Sequence, residues 1–233
     1  MASPRARPRS VRALATARPA HEPGAAPAYH TLSYGFLLGE VIQRATGRPL
    51  RDVLRRELLE PLGLGRTHLG TPPDQWRRRV PLRGVPGPRQ FLFNRRGLRE
   101  AVIPAASVSA PARDLGRFYQ ALLDGAALDD LAPAVAPSSE GEIDRIFGRT
   151  VRWAAGFHLG GVDDPARVSP FGRLSSRRTF GHNGSNVCLG WADPDRNLVV
   201  AYVTNRLSRG TGASPHLAAL SDALITAADA VRP

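Results

Sequence analysis

The stretch FGHNGSNVCLGWADPDRNLVVAYVTNR, residues 180–206, decides the fold of this chain. With Thr179 just before it, it divides into apolar runs of strand length, Thr179–His182, Val187–Ala192 and Leu198–Asn205, separated by turn-forming residues. Asp193-Pro194-Asp195-Arg196-Asn197 contains residues that preset or tolerate turn dihedrals, so the last two runs are predicted to pair as a hairpin. Trp153–Leu159 reads as a further strand, and Pro215–Val231 as an amphipathic helix closing the chain. Upstream the apolar period changes from two to 3.6. From Leu32, the residues Phe36, Leu37, Val41 and Ile42 recur at helical spacing, and Gly47 has the character of a C-cap. A second helix is predicted over Leu50–Leu59, with Leu50, Val53, Leu54 and Leu58 on one face and Pro61 and Gly63 stopping it. A third runs over Pro111–Leu123 on an apolar stripe of Leu115, Phe118, Tyr119 and Leu122. Proline in its first turn is tolerated because that N–H would be unpaired anyway. Residues 70–105 are rich in Pro, Gly and Arg and show little period, which predicts a long loop serving as a lid or site wall. Helices first and an antiparallel sheet afterwards give an α+β class with helices packed on the sheet.

Composition narrows the organisation further. Residues 1–22 combine repeated Pro and Arg with no apolar period, so a disordered tail is expected there. One domain then spans 23–233, mainly helical over 23–148 and built of antiparallel strands plus the C-terminal helix over 149–233. All 32 basic residues are arginine and the net charge is +12. Such lysine-free, Ala/Gly/Pro-rich usage is what a GC-rich bacterial coding sequence produces. The charge is uneven: residues 1–18 carry five Arg and no acid, and residues 71–100 carry eight Arg against Asp74 and Glu100. No arginines interleave with aromatics on a recognisable reading helix, which argues against a specific nucleic-acid partner. No apolar run is long enough to span a bilayer and no apolar core of a secretory signal is visible, so a cytoplasmic protein is expected. The six histidines lack H-x-H or H-E-x-x-H spacing, and Cys188 is the chain's one cysteine. Neither a metal site nor a cofactor is expected.

Three places have residue types suited to chemistry. They are Tyr29-His30-Thr31 before the first helix, Ile103-Pro104-Ala105-Ala106-Ser107 before the third, and Gly181-His182-Asn183-Gly184-Ser185 at a strand end. Glycines beside a polar strand residue let a ligand or another backbone approach closely. A histidine there is a natural acid, base or donor near neutral pH. Each place also has a plain reading: a tyrosine at a helix entrance is commonly packing, and a histidine in a Gly-rich strand commonly satisfies a carbonyl. Cys188, between Val187 and Leu189, reads as an inert buried thiol. No G-x-S-x-G occurs, which argues against an α/β-hydrolase elbow.

The segment PGAAPAYHTLSYGFLLGEVIQRATGRPLRDVLRRELLEPLGL, from Pro23, resembles the tyrosine-motif region of β-lactamase-related serine hydrolases, especially esterases allied to class C β-lactamases (family VIII type). IPAASVSAPARDLGRFYQALLDG resembles the segment that follows in that family. FGHNGSNVCLGWADPDRNLVVAYVTNR resembles its third motif, where the esterases have H-x-G in place of K-T-G. The resemblance implies a β-lactamase/transpeptidase-like fold and hydrolysis of a small-molecule acyl ester through an acyl-enzyme. It implies that Tyr29 relays the nucleophile's proton and that His182 contacts that network. It places Thr31, Gly184 and Ser185 at the substrate and oxyanion positions, with the Ser185 N–H as one donor.

The family's nucleophile lies in S-x-x-K, where the lysine activates the serine. These 233 residues contain no lysine, so that motif does not occur in them. Thr31 in place of asparagine and Val187 in place of glycine are smaller departures. The resulting expectation is the C-terminal two-thirds of such a hydrolase, truncated and inactive alone. The alternative is a pseudo-enzyme that binds an acyl or peptide ligand in the remaining groove.

Overall fold

A computed structural model describes residues 9–84, 87–161, 169–185, 187–207 and 215–231. The chain begins with helix α1 (Arg9–Thr16), α2 (Ser33–Thr46) and α3 (Leu50–Leu54), the last continuing into a π-turn over Arg55–Leu59. A two-residue strand β1 (His68–Leu69) and a 3-10 turn (Pro73–Arg78) lead to α4 (Pro88–Asn94) and α5 (Arg96–Glu100). Strand β2 (Val108–Ser109) pairs with β1, followed by α6 (Ala112–Leu123) and α7 (Ala132–Val135). The short hairpin β3 (Ile143–Asp144) and β4 (Arg149–Thr150) precedes the main sheet. That sheet is an antiparallel meander of β5 (His158–Leu159), β6 (Phe180–Gly184), β7 (Cys188–Asp193) and β8 (Leu198–Val203), and helix α8 (Pro215–Ala230) ends the fold.

The sheet is covered on both faces, and strand periodicity assigns each side chain. Leu189, Trp191 and Val200 face α8 and join Phe171, Leu217 and Ile225 in one fully apolar cluster. The Trp191 indole N–H donates to Ser221 Oγ of α8 at 3.2 Å, and that hydroxyl donates on to the Pro170 carbonyl at 2.9 Å. Ala192 and Phe180 face the other way and pack with Tyr119 and Leu122 of α6. Gly190 lies above Tyr119, where a Cβ would run into the phenol ring. Asn197, at φ 48°, turns the β7–β8 hairpin as its Asp-Pro-Asp-Arg-Asn composition predicts.

Helix α2 ends at Gly47, whose φ of 69° is the left-handed C-cap conformation, and its N–H donates to the Gln43 carbonyl. Its buried positions, however, are Gly35 and Gly39. A Cβ on Gly35 would stand 2.8 Å from the Ala105 nitrogen, so the helix lies backbone-close on the 103–105 segment. Leu37, Leu38, Val41 and Ile42 are 37–60% exposed. The apolar stripe that the spacing identifies is therefore the outer face of the helix.

Three expectations are corrected. Residues 1–22 are not wholly a disordered tail: residues 9–16 form α1, which lies against α2 with Val11 only 7% exposed. Val11 and Leu14, three apart, share a helix face whose period is too short to stand out among the arginines. The part of that expectation covering residues 1–8 lies outside the described residues. Residues 70–105 are not a featureless loop but three short helical turns stitched by side chains. Asn94 pairs with both the N–H and the carbonyl of Leu82, and Arg99 donates to the carbonyls of Phe93 and Val80. Finally, the Leu50–Leu59 helix changes to i→i+5 bonding at Arg55, where Glu60 N–H donates to the Arg55 carbonyl. Among the described residues, no helix is long and apolar enough to cross a membrane.

Candidate active site

Strand β6 carries His182 on the α6 face of the sheet, paired across to Gly190. Its Nδ1 lies 2.7 Å from the Asn183 carbonyl, which can only accept, so Nδ1 carries the proton of the neutral ring. Nε2 is then an acceptor, and the Tyr29 hydroxyl donates to it at 3.4 Å. The two residues are 153 positions apart in sequence. Tyr29 is brought in by the segment leading to α2, which is tied down where Arg145 N–H donates to the Pro27 carbonyl.

The electrostatics keep both groups neutral. Burial lowers the His182 pKa, offset in part by its bond to the Asn183 carbonyl. Burial raises the Tyr29 pKa, with a smaller contribution from Tyr34. Neither shift has a cation among its causes. The arrangement thus holds a phenol that donates to an imidazole, with the remaining phenol lone pair available to accept a proton from a third group.

An aromatic wall surrounds this pair, and sequence reasoning missed it. The Tyr29 ring stacks on Trp153 at 5.1 Å between centroids and meets Phe147 at 5.0 Å. Trp153 also stacks toward His182 at 6.1 Å and contacts His158 at 5.2 Å. The wall has its own support. Asp144, fully buried, accepts from the Trp153 indole N–H at 3.1 Å and from the N–H groups of Ile146 and Phe147 at 2.8 and 2.9 Å. The available signal was Phe147, Trp153 and Phe157 close together in a chain only 6% aromatic.

The other sequence candidates divide. Ser185 sits at φ 47° in the β6–β7 turn, exposed, and among the described residues no carbonyl accepts its backbone N–H. Gly184 has the Cys188 sulfur against its α-carbon, so a Cβ there would collide with Sγ. Thr31 is exposed and makes no hydrogen bond to Tyr29 or His182. His30 turns away to Ser33 Oγ at 2.9 Å. Ser107 spends its hydroxyl locally, on the N–H and carbonyl of Ile103, closing the turn that α2 rests on. Cys188 lies partly buried with its pKa raised by burial, and its thiol points to the Gly184 carbonyl at 3.7 Å, which fits an inert thiol.

Comparison with known proteins adds a lineage to this geometry. A protein-family model described as Beta-lactamase matches residues 2–224. The chain is 29% identical to "Esterase/beta-lactamase LipL" of Mycobacterium tuberculosis, over 77% of this chain and 48% of that protein. Among solved structures, EstA from Arthrobacter nitroguajacolicus Rue61a superimposes with a TM-score of 0.80 at 27% identity, covering 96% of this chain and 66% of that one. A penicillin-binding protein homologue from Caulobacter crescentus gives 0.75 at 27% identity, covering 93% and 63%. The chain therefore spans about half the length of LipL and a little under two thirds of the two solved chains.

Proposed function

The chain belongs to the beta-lactamase family of serine hydrolases, with the α+β fold of the β-lactamases and transpeptidases, and from that premise we propose that it provides one half of an acyl-transfer site for small-molecule esters. The observation that carries this reading is the Tyr29 hydroxyl at 3.4 Å from His182 Nε2, on the strand whose following turn holds Ser185, an N–H that no carbonyl accepts among the described residues. A serine attacking a carbonyl would pass its proton to the Tyr29 oxygen while Tyr29 hands its own to His182. The Ser185 N–H would meet the oxyanion that forms, an interaction typically worth several kcal/mol of barrier. A phenol whose pKa is raised by burial is a poor base on its own. A neighbouring ammonium would correct that by favouring the phenolate. The chain has no lysine, and Ser33, the serine closest to Tyr29 in sequence, bonds His30. The activated serine and its base must come from residues outside this chain, so the chain alone is expected to be catalytically silent.

The test uses the purified chain with a 4-nitrophenyl acyl ester and, separately, a fluorophosphonate followed by intact-mass analysis. The expected results are buffer-level ester hydrolysis and no mass addition. A stoichiometric adduct on any serine of a folded sample would falsify the silent half-site. A second reading is favoured by the neutral, stacked surroundings of Tyr29: the wall of Phe147, Trp153 and His182 binds an acyl or aromatic ligand without chemistry. It requires that such a ligand quench or shift tryptophan emission, and that Trp153→Ala abolish the change.

A further inference from the structure

Residues 76–84 and 87–99 form a basic and apolar surface unit that the acyl-transfer reading leaves unused. Its framework is internally bonded: Asn94 holds Leu82, Arg99 holds Val80 and Phe93, and Trp76 is stacked under the Arg79 guanidinium at 3.7 Å with Arg96 at 5.5 Å. On this framework three apolar side chains face water, Val80 at 61%, Phe91 at 69% and Leu92 at 49% exposure. Exposed apolar groups scattered singly are ordinary, but these lie on one stitched unit among exposed Arg77, Arg78, Arg83, Arg95 and Arg96. The Arg95 guanidinium sits over the Phe91 ring at 5.6 Å, so cation and apolar tip are paired on the same patch. The unit itself contains no acid, and the two that flank it are engaged. Asp74 accepts from Gln75, and Glu100 is engaged by Arg96 at 2.6 Å.

We propose that this unit docks the protein on an anionic lipid surface, the arginines meeting headgroup phosphates and Phe91, Leu92 and Val80 entering the boundary with the acyl chains. The chemistry that recognises such a surface is this pairing: positive side chains attracted by the negative surface potential and large apolar tips that leave water on contact. Arginine suits the role because its guanidinium forks onto phosphate and its stem lies along apolar surface. A nucleic acid would use the cations and gain little from exposed Phe91 and Leu92 side by side on α4. The unit is also joined to the candidate site. Arg83 N–H donates to the Asn205 carbonyl and its own carbonyl accepts from Leu207, while Thr204 N–H donates to the Val187 carbonyl at the β6–β7 turn. The unit is thereby hydrogen-bonded, through residues 204–207, to the turn that follows β6.

The experiment is sedimentation of the intact chain with sucrose-loaded vesicles, equimolar phosphatidylglycerol and phosphatidylcholine in one series and phosphatidylcholine alone in the other. Binding is expected to the anionic vesicles only, and to weaken as salt rises. Phe91→Ser with Leu92→Ser should reduce the partition coefficient roughly tenfold, as the loss of two inserted side chains implies. Because both residues are exposed, an unchanged thermal melt verifies that the variant is folded. Arg9→Gln with Arg12→Gln on α1 should leave binding as it was, which excludes diffuse charge as the cause. The proposal is overturned if anionic vesicles do not bind, or if the Phe91/Leu92 variant binds them as the parent does. It is equally overturned if a DNA duplex at the same salt is held as tightly as the vesicles.

Discussion

Glycine at positions 181 and 190 decides whether the candidate site can exist, because each leaves room for a named neighbour. At Gly181 a Cβ would strike the Gly190 carbonyl and the Trp191 Cα and Cβ, all part of the paired strand. At Gly190 it would strike the edge of the Tyr119 ring, which fills the space under His182. Overpacking of this kind costs about 1–3 kcal/mol, more where only backbone can move. Gly181→Ala is therefore expected to destabilise the chain more than Gly190→Ala, as read from denaturant midpoints at unchanged m-value. The reverse order would mean that β6 and β7 are not in the described register. Asp144 is the polar counterpart. Asp144→Ala would leave the Trp153 indole and two backbone N–H groups without their acceptor, at about 1–3 kcal/mol per buried donor, and should release the Trp153 ring from Tyr29. Near-UV circular dichroism would show that release as lost aromatic signal. Tyr29 and His182, which the fold brings together, were legible through the family resemblance, because the Tyr and His-x-Gly segments are compact patterns in it. Asp144 and Trp153 were not, because their role arises from a turn that brings a loop back on a strand. Thr31 was named through the family resemblance, as standing where that family has asparagine, and its side chain is exposed.

Strands β5 and β6 together carry a pH response. His158, on β5, has its pKa pushed down to about 3 by burial first, then by His182, Arg149 and Arg152. His182, on β6, is also lowered, again by burial. In the unfolded chain each titrates near 6.5. Between the folded and unfolded values the unfolded state holds the extra proton, so stability rises with pH through this window and is lost as pH falls below about 6.5. For His158 the loss should amount to about 1 kcal/mol between pH 7 and pH 5.5, and His182 adds to it in the same direction. His158→Phe, which keeps a ring against Trp153 and Phe171, should clearly reduce the drop in melting temperature over that interval. An undiminished drop would remove His158 from the account. Glu140, lowered by its bonds to Arg152 and by Arg177, acts only below the carboxylate range and does not confuse the window. Helix α2 shows how far periodicity reaches. Spacing identified both the helix and its apolar stripe, but a stripe alone does not say which face meets protein. Gly35 and Gly39 do, since they admit the 103–105 segment and the Leu50 side chain. Gly35→Ala should thus cost about 1–3 kcal/mol, whereas Leu38→Ser with Val41→Ser, both on the exposed face, should stay within about 0.5 kcal/mol each.

Across the whole molecule, burial is distributed unevenly, and the candidate site lies on the seam. Both apolar clusters belong to the sheet with α6 and α8, whereas among the described residues the buried apolar side chains of the first hundred positions are Val11, Leu59, Leu64 and Leu69. Besides the Tyr29 stack on Phe147 and Trp153, the helical half is fastened to the sheet half by a few polar ties. Asp114, 4% exposed at the start of α6, accepts from Arg66 N–H and the Thr67 hydroxyl, and Arg83 joins the chain leaving β8. Regions with few buried apolar contacts open at lower free energy than the global transition. Tyr29 stands on the weaker side of this seam and His182 on the stronger, so every opening of the helical half separates the pair. Native-state hydrogen exchange should therefore find the amides of β6, β7 and β8 most protected, with those of α2 opening at least ~2 kcal/mol below them. Asp114→Ala should lower α2 protection further while leaving β7 nearly unchanged, because it removes a tie between halves and no part of either apolar cluster. Equal loss in both places would mean that the two halves unfold as one unit, and that Tyr29 and His182 are held together as firmly as the sheet itself.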